Sequence, residues 1–290
     1  MNIGIIGGGA IGLLVASKFS LLHHDVTIYV KRQNQKDAIN HRGLTLYRSK
    51  AKCKVTAKLI EDIKVEDVLF VCTKQYQLKG VMEYFHHTSC PIIFMQNGMG
   101  HVDMIEGHLK QELLVATCEH GAVRKDDTTV HHRGEGKINI ASFHSNNGKV
   151  VKLHSLLHDP SFPIVLEEDW YIMLARKLIA NVVINPITGI FQVKNGELLA
   201  NPNLEELANK ICQEAARVLG LNPEDEWNSV IDIIRGTKDN ESSMKLDIAY
   251  KRKTEIEAMT GYIIDRATNE IPFVHFIDRA IKAIEWQAGG

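Results

Sequence analysis

The sequence predicts an α/β protein with an N-terminal Rossmann-type doubly wound sheet and an all-α C-terminal domain. Three observations lead to this class. A glycine-rich turn follows an apolar run at the start of the chain. Short β-type runs then alternate with helical patterns over the first half, and helical spacing of apolar residues dominates the second half. Strand and helix in alternation predict a parallel sheet with helices on both faces.

The predicted strands of the first half are short apolar runs bounded by turn residues. They are residues 2–7 (NIGIIG), 25–30 (DVTIYV), 68–72 (VLFVC), 91–95 (PIIFM) and 113–117 (LLVAT). A helix is predicted from Ala10 to about His23, and residues 128–141 are predicted to form an antiparallel pair. Continuous apolar runs of this length are typical of strands buried on both faces of a sheet.

The second half begins after residues 159–168 (DPSFPIVLEE), which carry two prolines. Helical spacing of apolar residues then predicts helices at 170–184, 204–219, 224–234, 242–269 and 273–286. We therefore predict two domains, a nucleotide-binding domain over residues 1–165 and a helical domain for substrate and catalysis over residues 166–290.

Composition argues against several classes of protein. The chain has 290 residues, 44% hydrophobic and 24% charged, with a formal net charge of −1, so neither nucleic acid nor an anionic membrane is a predicted partner. Five cysteines without a CxxC pair favour free thiols in a reducing compartment, and the scattered histidines predict no metal site. No uninterrupted apolar run reaches the roughly 18 residues of a membrane span, so we expect a soluble cytoplasmic protein.

The turn after the first strand has the form GxGxxG. Its residues are Gly7, Gly8, Gly9, Ala10, Ile11 and Gly12. The pattern alone is weak, but here it follows a strand and opens a helix, which is the context a dinucleotide site needs. The glycines allow a tight turn, close approach of a pyrophosphate and close helix–strand packing, and the helix N-terminus attracts phosphate. The alternative is a glycine-rich turn with no ligand.

The end of the second strand predicts which dinucleotide is bound. An NAD site usually has an acidic residue about 20 residues beyond the glycines, where it accepts from the ribose 2′-hydroxyl. Here the strand ends in YVKRQ, and no acid lies between Asp25 and Asp37. Lys31 and Arg32 instead favour a 2′-phosphate, and therefore NADPH/NADP. The alternative is that both are ordinary solvated charges, which would leave the cofactor preference open.

Two further loops follow strands of the predicted sheet. Lys74 lies in one (CTKQ) and Asn97 lies in the other (QNGMG). Because ligands of open α/β sheets bind at the carboxyl ends of strands, both residues are predicted to meet cofactor or substrate. Taken singly, each is more typical of a solvated lysine or a turn asparagine. Together with the glycine turn they favour function.

A polar seam runs through the apolar segment KLIANVVINPITG. Lys177, Asn181 and Asn185 recur at four-residue steps, which places them on one side of a helix. A structural interpretation has the lysine snorkel and the asparagines serve the backbone near Pro186. Because unpaired buried amides and ammonium groups are costly, the seam instead favours a solvated binding site.

A second polar seam is predicted on the helix at 242–269. Its members are Ser243, Asp247, Lys251 and Glu255. Asn240 and Ser242 precede it at the position of helix caps. A charged seam by itself is usually a solvated face. Two seams facing each other would suit reduction of a 2-keto acid, in which a lysine stabilises and protonates the ketone oxygen as hydride reaches the carbon.

The sequence resembles the 2-dehydropantoate 2-reductase (ketopantoate reductase) family in motifs that span the chain. These are GGGAIG (7–12), TKQYQ (73–77), QNGMG (96–100), EHGAVR (119–124), RKLIANVVINPITGIFQVKNGEL (176–198), NESSMKLD (240–247) and KRKTEIEAMTG (251–261). The last four are fairly specific and occur in the expected order. The resemblance implies a Rossmann domain followed by a helical domain. It also implies NADPH-dependent reduction of ketopantoate to (R)-pantoate, on the route to pantothenate and coenzyme A.

The resemblance also implies roles for single residues. Lys177 matches the proton donor, and Glu255 matches a glutamate near cofactor and substrate. Substrate-binding positions implied by the resemblance are Lys177, Asn181, Asn185, Asn195, Asn240 and Ser243. Cofactor positions implied by it are Gly7, Gly8, Gly9, Ala10, Ile11, Gly12, Lys31, Lys74, Asn97, Ala122 and Glu255. Lys31 stands where an arginine is common, so whether Lys31 or Arg32 contacts the 2′-phosphate stays open.

Two alternatives to this function remain at the level of sequence. One is an NADP-dependent enzyme of related architecture that reduces another 2-keto acid or acts on a 3-hydroxy acid. The other is an NADPH-binding regulator without turnover, which would be expected to lose the proton donor that this chain retains. The sequence leaves the oligomeric state open, with a homodimer as one assembly consistent with it.

Overall fold

The computed structural model describes residues 1–144 and 147–289. The chain divides into two compact units. One comprises Met1–Gln96 with Met104–Met173, and the other comprises Asn97–Asp103 with Leu174–Gly290. The domain boundary predicted above, between residues 165 and 166, stays a prediction.

The first unit contains two β-sheets. Its strands, numbered in chain order, are β1 (Asn2–Ile6), β2 (Asp25–Val30), β3 (Leu44–Leu46), β4 (Ala51–Cys53), β5 (Thr56–Leu59), β6 (Val68–Val71), β7 (Ile92–Phe94), β8 (Leu113–Cys118), β9 (Gly121–Arg124), β10 (Thr129–Gly134), β11 (Ile138–His144) and β12 (Ile164–Glu167). The large sheet has the order β12-β11-β8-β7-β6-β1-β2-β5, and the small sheet has the order β4-β3-β10-β9. Neighbours in the large sheet are parallel except β11 and β8.

The helices are distributed over both units, and α5 and α7 each have residues in both. They are α1 (Ala10–Leu21), α2 (Gln33–Arg42), α3 (Gln75–Leu78), α4 (Met82–Phe85), α5 (Gly100–Ile105), α6 (Asn147–Leu157), α7 (Trp170–Phe191), α8 (Glu197–Ala200), α9 (Pro202–Val218), α10 (Pro223–Gly236), α11 (Ser243–Ala249), α12 (Tyr262–Arg266) and α13 (Pro272–Gln287). A 3₁₀ turn covers Ile60–Asp62, and a π-helical segment covers Glu257–Gly261. The predicted fold class is confirmed.

The core of the first unit explains why its central strands are continuous apolar runs. In β1 and β6 almost every residue is buried, and α1 buries Leu13, Leu14 and Phe19. Both faces of a parallel sheet are covered, so the side chains on either face of a central strand are shielded from water. The predicted bounds of these strands agree with the structure to within a residue or two.

The predicted antiparallel pair at residues 128–141 is wrong. The segment does form two strands, but β10 pairs with β9 and β3, whereas β11 pairs with β8 and β12. Between them, the Gly136 N–H donates to His120 Nδ1 at 3.0 Å and the Glu119 N–H donates to the Lys137 carbonyl at 2.9 Å. These contacts hold the segment between β10 and β11 against residues 119–120, so β10 and β11 do not form a hairpin with each other. Alternating residues identify a strand, but they do not identify its partner.

The long helix α7 is longer than predicted. It was expected to end at Ile184, and it continues past the buried Pro186 to Phe191. Proline removes one backbone hydrogen bond from a helix, but the apolar residues beyond it are buried and stabilise the continuation. α7 also has the length and hydropathy of a membrane span, yet 72% of its apolar window is buried inside the structure. Core helices of soluble proteins have the same composition.

The predicted single helix at residues 242–269 is also wrong. α11 ends at Ala249, Lys251 adopts a left-handed φ of 52°, and the Arg252 N–H donates to the Asp247 carbonyl at 2.8 Å. This is the hydrogen-bond pattern of a Schellman motif, in which glycine usually occupies the left-handed position. Because lysine occupies it here, the sequence carries no visible stop signal. Ser243 and Asp247 therefore share one side of α11, but Lys251 and Glu255 do not continue their seam.

Burial of His101 predicts a pH-dependent stability of the second unit. His101 lies in α5 with its side chain fully buried, and this burial lowers its pKa from 6.5 to about 4. The unfolded chain therefore takes up a proton as the pH falls below about 6.5, whereas the folded chain does not. We expect the free energy of unfolding to fall by about 2 kcal/mol between pH 7 and pH 5 from this residue.

Urea unfolding of the full chain, followed by tryptophan fluorescence at both pH values, measures this loss. His101→Leu should reduce the loss, and the exposed His275→Gln should leave it unchanged. Some dependence will remain from His120 in the first unit, since burial lowers its pKa to about 4 as well. An identical pH dependence in His101→Leu and the parent protein would contradict the assignment.

Candidate functional site

The glycine turn of the first unit has the backbone geometry that its sequence motif requires. Gly7 has φ of 109°, in the region that favours glycine, and a Cβ on Gly12 would lie 1.9 Å from the Gly7 carbonyl oxygen. A Cβ on Gly9 would meet no heavy atom within 4 Å. Gly7 and Gly12 therefore allow close packing within the protein, whereas the backbone at Gly9 is open. This arrangement is suited to a pyrophosphate at the start of α1.

The loop after β6 packs beside this turn. A Cβ on Gly7 would lie 3.1 Å from both Thr73 Cγ2 and the Thr73 backbone nitrogen. Lys74 follows directly as the N-cap residue of α3 and is half-buried. The first unit therefore brings the predicted cofactor residue Lys74 to the same edge of the large sheet as Gly7–Gly12.

The two cations after β2 point in different directions. The Arg32 guanidinium forms an ion pair with Asp127 and donates to Gln35 Oε1 at 3.3 Å. Lys31 Nζ instead lies 3.4 Å from the position that a Cβ on Gly80 would take, beyond the end of α3. Both side chains are exposed, so either can reach an anion at this edge of the sheet.

Two charged residues join this cluster that the sequence did not single out. Arg124, at the end of β9, forms an ion pair with the same Asp127 oxygen that Arg32 contacts, and its Nη1 donates to the Gly8 carbonyl at 3.3 Å. Arg124 lies in the motif EHGAVR, two residues after the predicted cofactor residue Ala122. Nothing in the spacing indicated that the β9–β10 turn returns to the glycine turn.

In the second unit, Asn97 and Glu255 are brought together although 158 residues separate them. Asn97 Nδ2 donates to Glu255 Oε2 at 3.0 Å. The next residue, Gly98, has φ of 77°, and a Cβ there would lie 1.9 Å from the Ala258 carbonyl oxygen. Further along, Arg266 donates to both carboxylate oxygens of Asp103 at 2.7 and 2.9 Å. Segment 97–103 is therefore anchored along residues 255–266.

The predicted seam on α7 becomes more buried along the helix. Lys177 and Asn181 are half-buried, and Asn185 is buried with its Nδ2 3.9 Å from Met259 Sδ. Within the part of the chain that the structure describes, neither Lys177 nor Asn181 has a side-chain hydrogen bond or ion pair. A half-buried ammonium and amide without protein partners can serve a polar ligand at low cost, because no internal bond must first break.

The start of α11 packs against α7 in the same unit. The Ser242 side chain caps α11 by accepting from the Lys245 N–H at 3.1 Å, and its hydroxyl also hydrogen-bonds the Thr188 hydroxyl of α7 at 2.7 Å. Ser243 is the next residue after Ser242, whose position these two hydrogen bonds fix, and the Ser243 side chain is exposed. The structure places the hydroxyl-bearing end of α11 beside the second half of α7.

Asn195 and Asn240 are connected through their backbones. The Asn195 N–H donates to the Asn240 carbonyl at 3.1 Å, while the buried Asn195 Nδ2 donates to Thr237 Oγ1 at 3.0 Å. One half of the Asn195 amide thus holds the loop before α11, and its Oδ1 has no partner among the described residues. The Asn240 side chain is exposed.

The structure also contains a cavity that lies apart from the predicted site residues. A shallow cavity of about 510 Å³ is lined by Gly196, Leu199, Ala200, Glu205, Ile231, Ile234, Arg235 and Lys238. Its lining includes the charged side chains of Glu205, Arg235 and Lys238 but none of the predicted site residues. No three His, Cys, Asp or Glu side chains in residues 1–144 and 147–289 are arranged to hold a metal ion. The polar residues of α7 and α11 are the candidate substrate site because they include the half-buried Lys177 and Asn181.

Two family models match the chain and together cover most of its length. The model described as ketopantoate reductase PanE/ApbA matches residues 3–145. The model of the C-terminal part of the same family matches residues 169–285.

Relatives match the chain from end to end. A 2-dehydropantoate 2-reductase of Bacillus subtilis (strain 168) is 40% identical over 295 residues, covering 98% of each chain. One of Listeria monocytogenes is 33% identical and covers 99% of this chain and 98% of that relative.

Solved structures share the fold. A probable 2-dehydropantoate 2-reductase from Bacillus subtilis has a TM-score of 0.89 at 39% identity and covers 98% of this chain and 100% of that chain. D-mandelate dehydrogenase, solved with NADH and anilino(oxo)acetate, has a TM-score of 0.91 at 20% identity, with 100% of each chain covered.

The close packing at Gly98 predicts a large loss of stability for Gly98→Ala. The added methyl group would overlap the Ala258 carbonyl and would also strain a left-handed backbone. We expect the free energy of unfolding to fall by about 3 kcal/mol or more, the sum of both effects. Urea unfolding of the purified variant measures this change.

Gly107→Ala is the matched control. Gly107 has a similar φ of 70°, but nothing lies within 4 Å of the position its Cβ would take. This variant carries the backbone strain alone, and it should lose about 1–2 kcal/mol. Equal losses in the two variants would show that the contact with Ala258 is unimportant.

Proposed function

Because the chain belongs to the ketopantoate reductase (PanE/ApbA) family, we propose that it reduces 2-dehydropantoate (ketopantoate) to (R)-pantoate with NADPH, in pantothenate and coenzyme A biosynthesis. The observation that carries this proposal is the α7 seam. Lys177 and Asn181 are half-buried and without protein partners, in a chain that matches both family models. A regulator without turnover would not need the Lys177 ammonium and the Asn181 amide to be available for a substrate.

The residues of the first unit fit the proposed cofactor. The open backbone at Gly9 and the start of α1 bind the pyrophosphate in this proposal, and Lys74 binds at the same edge of the sheet. Lys31 and Arg32 provide positive charge for a 2′-phosphate. When bound, NADPH supplies the hydride that reduces the keto carbon.

Lys177 is the proposed proton donor. As hydride reaches the keto carbon, negative charge develops on the keto oxygen, and an ammonium hydrogen-bonded to that oxygen stabilises it. Transfer of one Lys177 Nζ proton to the oxygen completes the hydroxyl group of the product. The neutral amine then regains a proton from water. The mobile side chain offers three N–H donors, so one can bind the keto oxygen while others bind water or an amide.

Amides and hydroxyls of the second unit hold the rest of the substrate in this proposal. Asn181 and Asn185 lie one and two turns beyond Lys177 on α7. Ser243 and Asn240 present an exposed hydroxyl and amide at the start of α11, and Asn195 acts through its Oδ1. Glu255, held by Asn97, accepts from a substrate hydroxyl or orients the Lys177 ammonium. This donor set matches a molecule with a carboxylate, a ketone and a hydroxyl.

Substrate and cofactor choice are tested by absorbance at the reduced-nicotinamide band. Purified protein is mixed with NADPH or NADH and a panel of 2-keto acids that includes ketopantoate. The highest kcat/KM is expected for ketopantoate with NADPH. A clearly higher kcat/KM for another 2-keto acid would replace the proposed reaction with that of a related reductase.

The cellular context is also a proposal. A cytoplasmic location fits a biosynthetic enzyme, and a homodimer fits a relative from Staphylococcus aureus that is described as a dimeric ketopantoate reductase with kinetic cooperativity. Sedimentation of the purified chain distinguishes a monomer from a dimer.

Lys177→Ala is expected to lower kcat by at least about 100-fold, the usual scale for loss of a general acid. The Kd for NADPH should stay within about twofold, because the glycine turn is unchanged. Steady-state rates give kcat, and fluorescence titration of the reduced nicotinamide gives the Kd. Lys210→Ala removes an exposed lysine from α9 and should leave both values unchanged. A near-normal kcat in Lys177→Ala would remove Lys177 from the mechanism.

The double variant Lys31→Ala with Arg32→Ala is expected to raise the Kd for NADPH by about 10-fold or more, while the Kd for NADH changes less than about twofold. The reason is that only NADPH carries the 2′-phosphate. Fluorescence titration with each cofactor measures both constants, and Lys79→Ala is the control with an exposed lysine on the same edge. Equal losses for the two cofactors would reject a 2′-phosphate contact.

A further inference from the structure

The carboxylate of Asp127 is held between two guanidinium groups. Arg32, at the start of α2, and Arg124, at the end of β9, both donate to Asp127 Oδ1. The three side chains are partly exposed, at 47% for Arg32, 35% for Arg124 and 23% for Asp127. The Asp127 carboxylate is thus accessible to solvent, and an anion from solution can reach the two guanidinium groups.

The turn that carries Asp127 is fixed by its neighbour. Asp126 Oδ1 accepts from the backbone N–H groups of Thr128 and Thr129 at 2.7 and 2.9 Å. Burial raises the pKa of this carboxyl, but the hydrogen bonds from Thr128 and Thr129 outweigh burial and hold it below the usual value. Asp126 therefore stays ionised and keeps the β9–β10 turn in one conformation. Arg124 and Asp127 thus lie on a hairpin whose turn is closed by Asp126.

The cluster adjoins the glycine turn. The Gly8 carbonyl accepts from Gln35 Nε2 at 2.9 Å and from Arg124 Nη1 at 3.3 Å, and Gln35 Nε2 also donates to the Asp127 carbonyl at 3.3 Å. Arg124, Arg32 and the glycine turn therefore surround one edge of the first unit, where β1 and β2 end. In dinucleotide-binding sheets this edge takes the adenosine ribose.

We infer that Arg124 is a second guanidinium of the 2′-phosphate subsite, and that Asp127 occupies this subsite as an internal anion until the phosphate displaces it. The inference rests on the proposed use of NADPH. Arg124 and Asp127 would then help to select the cofactor, a role that the spacing of residues along the sequence does not indicate.

The chemistry of the three groups supports this assignment. Guanidinium forks bind carboxylate and phosphate with the same planar geometry, and a phosphate offers more charge and more acceptor oxygens than one carboxylate. Two arginines pointing at one carboxylate oxygen leave further N–H donors available for these acceptors. Solvent reaches all three groups and screens their ion pairs, which lowers the cost of releasing Asp127.

The inference predicts that Arg124→Ala weakens binding of molecules that carry a 2′-phosphate and of no others. The Kd for NADPH and for adenosine 2′-monophosphate should rise by about 10-fold or more, the usual effect of removing a charged hydrogen bond. The Kd for NADH and for adenosine 5′-monophosphate should change less than about twofold. Isothermal titration calorimetry of the full chain measures all four constants without turnover.

Two matched variants separate charge from structure. Arg124→Lys keeps the charge and should recover part of the affinity for adenosine 2′-monophosphate. Lys125→Ala removes the adjacent cation of the same turn, whose ammonium lies 5.3 Å from the centre of the Tyr47 ring, and should change none of the four constants. An equal effect of Lys125→Ala and Arg124→Ala would mean that only the general charge of the hairpin matters, and would overturn the assignment.

Asp127→Asn tests the displaced anion. Removing its charge should tighten binding of NADPH and adenosine 2′-monophosphate by about threefold or more and leave NADH unchanged, because the phosphate no longer competes with a carboxylate. Weaker binding of the 2′-phosphate ligands would show that Asp127 is a fixed support of the arginines, and would overturn this part of the inference.

Different results would reject the role of Arg124 and the proposed preference for NADPH. If the parent protein binds NADPH and NADH equally and does not bind adenosine 2′-monophosphate, the proposed NADPH preference fails and the inference fails with it. If the parent prefers NADPH and Arg124→Ala retains that preference, the preference stands and the role of Arg124 is overturned.

Discussion

Close approach of the backbone at two glycines is the constraint on which both candidate regions depend. In the first unit, Gly12 of α1 lies so close to the Gly7 carbonyl that no other residue fits. In the second unit, Gly98 lies against the Ala258 carbonyl in the same way. Each contact fixes the residues beside it, Gly8 and Gly9 in one case and Asn97 in the other. Precise placement of binding groups follows from packing that tolerates no side chain.

The polar residues of the second unit are of two kinds. Some form hydrogen bonds between elements of the protein, and others can still bind a ligand. Ser242, Thr188 and one half of the Asn195 amide are used in bonds between elements. Lys177 and Asn181 have no such bond among the described residues. This division resembles a binding site whose supporting bonds hold its contact groups in position, because a group already committed to the protein cannot also serve a ligand. The proposed reaction needs that distinction, since the proton donor must be available to the keto oxygen.

Much of the first unit could be predicted from the sequence because its signals are local. The apolar runs of β1 and β6, the GxGxxG turn and the two cations after β2 each report on a few neighbouring residues. The pairing of β10 and β11 could not be predicted, since alternation does not identify a partner strand. The cluster of Arg124 with Arg32 was missed for the same reason, because it depends on where a hairpin packs and not on spacing along the chain.

The second unit shows the limits of helical periodicity. The predicted seam from Ser243 to Glu255 assumed one helix, but a left-handed lysine at position 251 ends α11 without a glycine or proline to signal it. Lys177, Asn181 and Asn185 do lie at four-residue steps on α7, and only the end of this helix, which continues beyond Pro186, was predicted wrongly. Glu255 nonetheless meets Asn97, through a contact that no local pattern could indicate. Residues implied by the family resemblance are thus brought together by tertiary contacts.

The proposed transfer of hydride from NADPH to ketopantoate can be followed through its product. Purified protein is incubated with ketopantoate and a limiting amount of NADPH, and the product is separated by chiral chromatography. We expect one molecule of (R)-pantoate for each NADPH oxidised, and no (S)-pantoate. Oxidation of NADPH without pantoate, or no oxidation when both molecules are present, would contradict it.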